Sequence, residues 1–151
     1  MRLNFLYGTE SSTAELLCDD LQAAVEEGNE TSIANMEDVD ASTLEAEPLY
    51  ILVSSTYGNG EVPASAEEFY KTLTEQKPDL SHVRFAIFGL GDTSFDETFN
   101  HGSEKIMNAM VACGAKMIGE RGVFDASSGD MPEDVGVPWL EGIVKLEGAA
   151  A

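Results

Sequence analysis

The sequence is short of several residue types, and each shortage argues against a class of protein. No Lys or Arg occurs between Arg2 and Lys71, and the chain carries 8 bases against 28 acids, a formal net charge of −20. Because phosphate backbones need cationic neutralisation, we expect no nucleic-acid partner. The 2 cysteines, Cys18 and Cys113, have neither metal-ligand nor Cys-x-x-Cys spacing, which indicates reduced thiols.

Several segment types are also missing. No apolar stretch approaches the roughly 20 residues of a membrane-spanning helix, and no signal peptide precedes the first apolar run. We therefore expect no membrane association and a cytoplasmic location. The chain has no Gly-Lys-Ser/Thr phosphate loop, no Gly-x-Gly-x-x-Gly after its first apolar run and no Gly-x-Ser-x-Gly elbow. These absences argue against P-loop, dinucleotide-binding and hydrolase proteins.

What remains is an alternation of apolar strand-like runs with helical patterns, as in parallel α/β folds. Its 151 residues suit one domain. We predict a doubly wound, five-stranded parallel sheet between two helical layers, a three-layer α/β/α arrangement. Residues 1–147 form the domain and 148–151 a short flexible tail. The predicted strands cover 2–7, 31–36, 49–54, 84–90 and a fifth beginning at 115–118; the predicted helices cover 13–27, 63–75, 102–113 and 132–147.

Three loops rich in glycine or hydroxyl residues follow predicted strands: "YGTESSTAE" at 7–15, "SSTYGNGEVP" at 54–63 and "GLGDTSFDETFNHG" at 89–102. Parallel strands end at one edge of the sheet, so the loops should gather there. The first loop is explained either as a simple helix cap or as a nest of N–H and hydroxyl donors for a phosphate. Its four hydroxyls favour the phosphate. Tyr57, Phe95 and Phe99 in the other loops suggest a flat ring held by stacking.

In this order, the three loops resemble those of the flavodoxin superfamily, most closely its short MioC-type members, and also the FMN domains of diflavin reductases. "EQKPDLSHVRFAIFGLG" and "DMPEDVGVPWL" add to the MioC-like resemblance. The resemblance implies FMN as cofactor. It implies contacts to the phosphate from Thr9, Glu10, Ser11, Ser12, Thr13 and Ala14. It implies contacts to the ring from Ser55, Thr56, Tyr57, Gly58, Asn59 and Gly60 on one side, and from Leu90, Gly91, Asp92 and either Phe95 or Phe99 on the other.

Two departures from the family pattern bear on these assignments. Ser12 stands where the family often has Gly. Phe95 and Phe99 are four apart, whereas the matching aromatics are usually three apart, which leaves open which ring stacks on the flavin.

The function that the resemblance implies is electron transfer by a carrier, not catalysis on a substrate of its own. The carrier would shuttle single electrons from a reductase to an acceptor redox enzyme. The charge of −20 favours electrostatic docking to a basic reductase surface, and we expect a monomer. Two alternatives are a receiver-type regulatory domain of similar sheet order and a flavin reductase using NAD(P)H. The chain lacks the acids that a receiver domain needs at the ends of strands one and three. It also lacks the cations that a flavin reductase would need to bind a second nucleotide.

Overall fold

The computed structural model describes residues 1–8, 13–55, 62–91, 101–125 and 128–150. In chain order the elements are β1 (Arg2–Gly8), α1 (Thr13–Val25), β2 (Glu30–Asn35), β3 (Leu49–Ser55), α2 (Glu67–Lys71), β4 (Arg84–Gly91), α3 (His101–Ala112), β5 (Lys116–Met117), β6 (Gly122–Asp125) and α4 (Pro132–Ala150). Short 3₁₀ turns lie at Met36–Asp38, Ala41–Thr43 and Ala64–Ala66.

The described strands form one parallel sheet in the order β2-β1-β3-β4-β5, with β6 also paired to β4. Strand β3 is buried along almost its whole length, as expected for a central strand covered on both faces. The chain runs outward from β1 to β2 on one side and to β3 on the other. The order therefore reverses between β1 and β3, and this is the switch point of the sheet.

Helices cover both faces, so the predicted three-layer, doubly wound α/β fold is confirmed. On one face, Leu17 and Leu21 of α1 and Leu140 of α4 pack over Phe5 and Ile51. These α1 positions have helical spacing, which is why the segment forms an amphipathic helix. On the other face, Phe69 of α2 and Ile106 of α3 pack over Leu52 and Ile87.

The fifth strand differs from its prediction, because it is divided into two pieces. β5 pairs with the beginning of β4, and β6 pairs with the end of β4, with Gly91 opposite Asp125. The connection between them contains Gly119, whose positive φ of 70° favours glycine. The predicted fifth strand begins at 115–118, and no strand was predicted at residues 122–125.

The second predicted helix is also less regular than expected. A 3₁₀ turn leads into α2, and residues Thr72–Gln76 continue as a π-helical turn that ends at Lys77, a left-handed residue with φ of 47°. At the other end of the chain, α4 extends to Ala150, beyond the predicted end at Glu147.

No helix among the described residues is long and apolar enough to cross a membrane.

Candidate cofactor site at the carboxyl edge of the sheet

Three adjacent strands lead into the three loops that the sequence singled out. β1 ends at Gly8, β3 at Ser55 and β4 at Gly91. Gly8 lies opposite Ser54, and Ser55 lies opposite Leu90 in the sheet register. The loops therefore start side by side at the carboxyl edge, and the first two flank the switch point. In open parallel α/β sheets, this crevice is where ligands bind.

The start of the first loop is tightly packed at Gly8. A Cβ atom at this position would lie 2.8 Å from Cβ of Ala66 and 3.1 Å from Sδ of Met36. Glycine is therefore required by close packing, and the packing joins the end of β1 to the segment that follows the second loop.

The end of the first loop is the start of a helix. α1 begins at Thr13 and runs for 13 residues, with Ala14 fully buried in its first turn. A helix start presents unpaired N–H groups and a partial positive charge. An anion such as a phosphate can bind there without a basic side chain.

The start of the second loop consists of two serines with different exposures. Ser54 is completely buried, and its hydroxyl donates to the carbonyl oxygen of Ser55 at 3.0 Å. The Ser55 hydroxyl is partly exposed and points to the carbonyl oxygen of Gly8 across the switch point, at a long 3.5 Å.

β6 adds a carboxylate to this edge that the sequence analysis did not anticipate. Asp125 ends β6 and lies opposite Gly91, the last residue of β4. The apolar pair Val123-Phe124 between Gly122 and Asp125 was the signal for this strand, but four residues are too few for a clear period.

Electrostatics near the site are dominated by burial and by acids. The pKa of the Tyr7 hydroxyl is raised, first by burial and then by the charge of Glu15. Burial also raises the pKa of the Cys18 thiol in α1, far above its ordinary value. His82 lies away from this edge, and its Nε2 donates to the Leu44 carbonyl oxygen at 2.9 Å. Within the described ranges, no group of three or more His, Cys, Asp or Glu could hold a metal ion.

The structure places five of the residues expected to contact the cofactor: Thr13, Ala14, Ser55, Leu90 and Gly91 all lie at or beside the ends of β1, β3 and β4 or at the start of α1. The others lie outside the described residues, and they are Thr9, Glu10, Ser11, Ser12, Thr56, Tyr57, Gly58, Asn59, Gly60, Asp92, Phe95 and Phe99.

The arrangement is that of a doubly wound α/β protein whose loops begin beside the switch point, and its sequence has neither a P-loop nor a dinucleotide fingerprint. The Flavodoxin family model matches residues 6–139. Protein MioC of Escherichia coli K12 is 33% identical over 144 residues, which cover 95% of this chain and 97% of MioC. The NADPH-dependent diflavin oxidoreductase 1 of Aspergillus fumigatus is 33% identical over 147 residues, but these are only 22% of its length.

Solved structures agree with the sequence comparison. A mutant of flavodoxin from Pseudomonas aeruginosa superposes with a TM-score of 0.82, at 27% identity over 97% of this chain and 98% of that one. Oxidised flavodoxin 1 from Bacillus cereus gives the same TM-score at 22% identity, which supports the fold alone. The chain belongs to the flavodoxin family. It is an FMN-binding electron-transfer protein, a carrier rather than a catalyst, and it works with redox partners.

The described residues fit FMN. The start of α1 beside the end of β1 suits a terminal phosphate. The ends of β3 and β4 lie next to each other, so the loops that continue from them start on adjacent strands, where a flat ring would lie between them. Ser55, at the end of β3, is the one of the two serines there that is partly exposed and could face a ligand.

Proposed function

We propose that the three loops hold FMN in the roles that the family resemblance implies. Thr9, Glu10, Ser11, Ser12, Thr13 and Ala14 surround the phosphate. Ser55, Thr56, Tyr57, Gly58, Asn59 and Gly60 line one side of the ring. Leu90, Gly91, Asp92 and either Phe95 or Phe99 line the other. The observation that carries this proposal is the adjacency of the ends of β1, β3 and β4 at the switch point.

FMN supplies the one-electron chemistry when it is bound, and the protein binds, orients and shields it. Backbone N–H groups at the start of α1 and the hydroxyl of Thr13 would hold the phosphate. Ser54 is fully buried near the end of β3, the strand that leads into the second loop. The aromatic residues that the resemblance assigns to the ring, Tyr57 and either Phe95 or Phe99, would exclude water from it.

Acidic residues in the loops should tune the cofactor. Glu10, Glu61 and Asp92 lie in the three loops, and no base occurs in the first two. Adding negative charge to a ring among carboxylates is unfavourable in a site that excludes water. The second one-electron potential of the bound cofactor should therefore lie below that of free FMN, as a spectroscopic redox titration would show.

The proposed partners are a basic reductase surface, which supplies electrons, and an acceptor redox enzyme. Residues 3–70 contain fifteen Asp and Glu and no base, which is the charge pattern that a basic surface attracts. Docking of this kind weakens as salt rises, because exposed charges are screened within about 8 Å at physiological ionic strength. We further propose that residues 1–147 act as a single domain, as a monomer and in the cytoplasm.

The test of the FMN site is Thr13→Ala, measured by calorimetric titration with FMN and with riboflavin. Riboflavin has no phosphate, so only FMN should lose affinity. A lost charge-assisted hydrogen bond corresponds to about 1.5–3 kcal/mol. Thr74→Ala is the matched control, because Thr74 is an exposed helical threonine whose hydroxyl donates to the Tyr70 carbonyl at 3.1 Å.

The control should leave both affinities unchanged. Equal losses for FMN and riboflavin in Thr13→Ala would mean that the first loop does not hold the phosphate. A purified chain without a flavin absorption band that also fails to bind added FMN would contradict the whole assignment.

A further inference from the structure

An apolar cleft opens on the surface beside the start of α1. It has a volume of about 360 Å³ and lies between α1 and the residues that lead into α4. Leu16 and Met131 contribute its apolar walls and are 58% and 56% exposed. Leu17 and Pro132 complete the apolar lining. Two large apolar side chains that share one open cleft form a patch suited to a partner, unlike single exposed side chains.

The rim of the cleft carries one sign of charge. Asp19 and Asp20 of α1 and Glu133 of α4 line it together with the apolar residues. Both walls come from stretches without a base, residues 3–70 and 122–144. An apolar centre within a charged rim is the usual anatomy of a protein interface, and here the rim is uniformly negative.

The cleft is also close to the proposed cofactor site. Thr13 lines it, belongs to the first loop and is the residue at which α1 begins. Its two walls are joined in the core, where Leu17 and Leu21 of α1 pack in the same cluster as Leu140 of α4. A partner seated in the cleft would therefore rest on a firm surface next to the phosphate end of FMN.

We propose that this cleft receives an apolar side chain of a basic redox partner, from a surface where Lys or Arg residues surround that side chain. The proposal rests on the proposed function and adds where the partner is anchored. The rim attracts the partner and the Leu16–Met131 pair holds it. A second copy of this chain is a poor occupant, because its own charge of −20 would be repelled by the rim.

The chain offers a matched control for the apolar contact. Leu146 of α4 is 53% exposed but lines a different groove, together with Arg121 and Lys145. Leu16→Ser and Leu146→Ser remove the same side chain, at similar exposure, from a helix surface. Neither substitution changes the net charge, so electrostatic attraction is the same in both variants.

The experiment measures the dissociation constant of the FMN-loaded chain for a basic c-type cytochrome, by calorimetry at low and at physiological salt. Leu16→Ser and Met131→Ser should each raise this constant about tenfold, because a contact at the centre of an interface is lost. Leu146→Ser should stay within about twofold of the parent. The dependence on salt should be the same in all variants, since no charge has changed. Thermal melting confirms that each variant is folded.

Reduction of ferricyanide by the chemically reduced chain separates the two proposals, because a small acceptor needs no docking surface. If the parent chain showed no flavin absorbance and did not reduce ferricyanide, the proposed function would be contradicted. If flavin absorbance and ferricyanide reduction are both present, equal dissociation constants of Leu16→Ser and Leu146→Ser for the cytochrome would overturn the cleft as an anchor. A parent that shows no saturable, salt-sensitive binding of the cytochrome would overturn it as well.

Discussion

Replacing Gly8 by Ala should disturb the fold and the cofactor site together. The added methyl group would lie 2.8 Å from Cβ of Ala66, 3.1 Å from Sδ of Met36 and 3.4 Å from Cγ of Pro63. Carbon atoms pack at about 3.5–4.0 Å, so the first contact must open by roughly 0.7 Å. The flexible thioether of Met36 can turn aside, but Cβ of Ala66 is fixed to its backbone.

The expected cost follows from this geometry. Overpacking of a tight contact typically costs about 1–3 kcal/mol, and the rigid neighbour places Gly8→Ala inside that range. The displaced atoms belong to the start of the first loop, at Gly8, and to the segment after the second loop, at Pro63 and Ala66. Both proposed FMN loops should shift. FMN affinity should therefore fall about tenfold, which corresponds to about 1.4 kcal/mol.

The assay combines urea unfolding of the FMN-free chain with titration of FMN fluorescence. The decisive variant is Gly8→Ala combined with Ala66→Gly, which removes the methyl group that the new one meets. It should recover most of the lost stability and affinity. Gly142→Ala is the control, because nothing lies within 4 Å of its added Cβ in α4. There, alanine should stabilise the helix by about 0.5–1 kcal/mol.

Two outcomes would refute the reasoning. If Gly8→Ala unfolds at the same urea concentration as the parent, the close contact with Ala66 does not constrain the end of β1. If the single variant is destabilised but the double variant recovers nothing, the cost arises elsewhere than at this contact.

Three further predictions concern the described core. Urea unfolding should show that Arg84→Met destabilises the chain more than Glu147→Gln does, because Arg84→Met leaves the buried Glu147 carboxylate without its cation. Breaking such a pair costs about 3–5 kcal/mol. Equal losses would show that the carboxylate is not dependent on Arg84. Gly122→Ala should lower the melting temperature, since its Cβ would lie 2.4 Å from an aromatic ring atom. Cys18 and Cys113 are buried, and burial raises the pKa of both thiols, so a thiol reagent should label them only on unfolding.

The sheet was predictable because its signals are local and repeated. Residues 49–53 are apolar throughout, the pattern expected of a strand covered on both faces. The spacing of Leu17 and Leu21 predicts α1, and Gly28 after it has a φ of 81° in the turn that the Asn29 N–H closes by donating to the Glu26 carbonyl oxygen at 3.2 Å. Parallel pairing alone predicts that the three loops start at the same edge of the sheet.

The division of the last strand was not predictable, because it depends on contacts distant in sequence. The indole Nε1 of Trp139 donates to the carbonyl of Glu120 at 3.0 Å, and a guanidinium nitrogen of Arg121 donates to the hydroxyl of Ser103 at 2.8 Å. These bonds hold the connection between β5 and β6 against two helices. Neither partner could be inferred from the period of residues 115–125.

The candidate site shows the same distinction. The position of the candidate site was predicted from the sequence. The packing that requires glycine at position 8 and the burial of Ser54 were not. Ser54 looked like one of several loop hydroxyls, yet it is fully buried near the end of β3. Gly8 is needed because of Ala66, a residue on the far side of the second loop. Close packing between segments leaves no periodic trace in a single sequence.

Three of the 8 bases of the chain lie at the first residue of a strand. β1, β4 and β5 begin with Arg2, Arg84 and Lys116, so each places a cation at the amino edge of the sheet. Arg84 pairs with the buried Glu147, and Arg2 lies within 4 Å of two surface carboxylates. The surface pairs contribute little to stability, whereas the Arg84 pair neutralises a carboxylate that is otherwise costly to bury. α1 and the first two loops contain acids and no base, which is the charge pattern that the proposed docking of a basic partner requires.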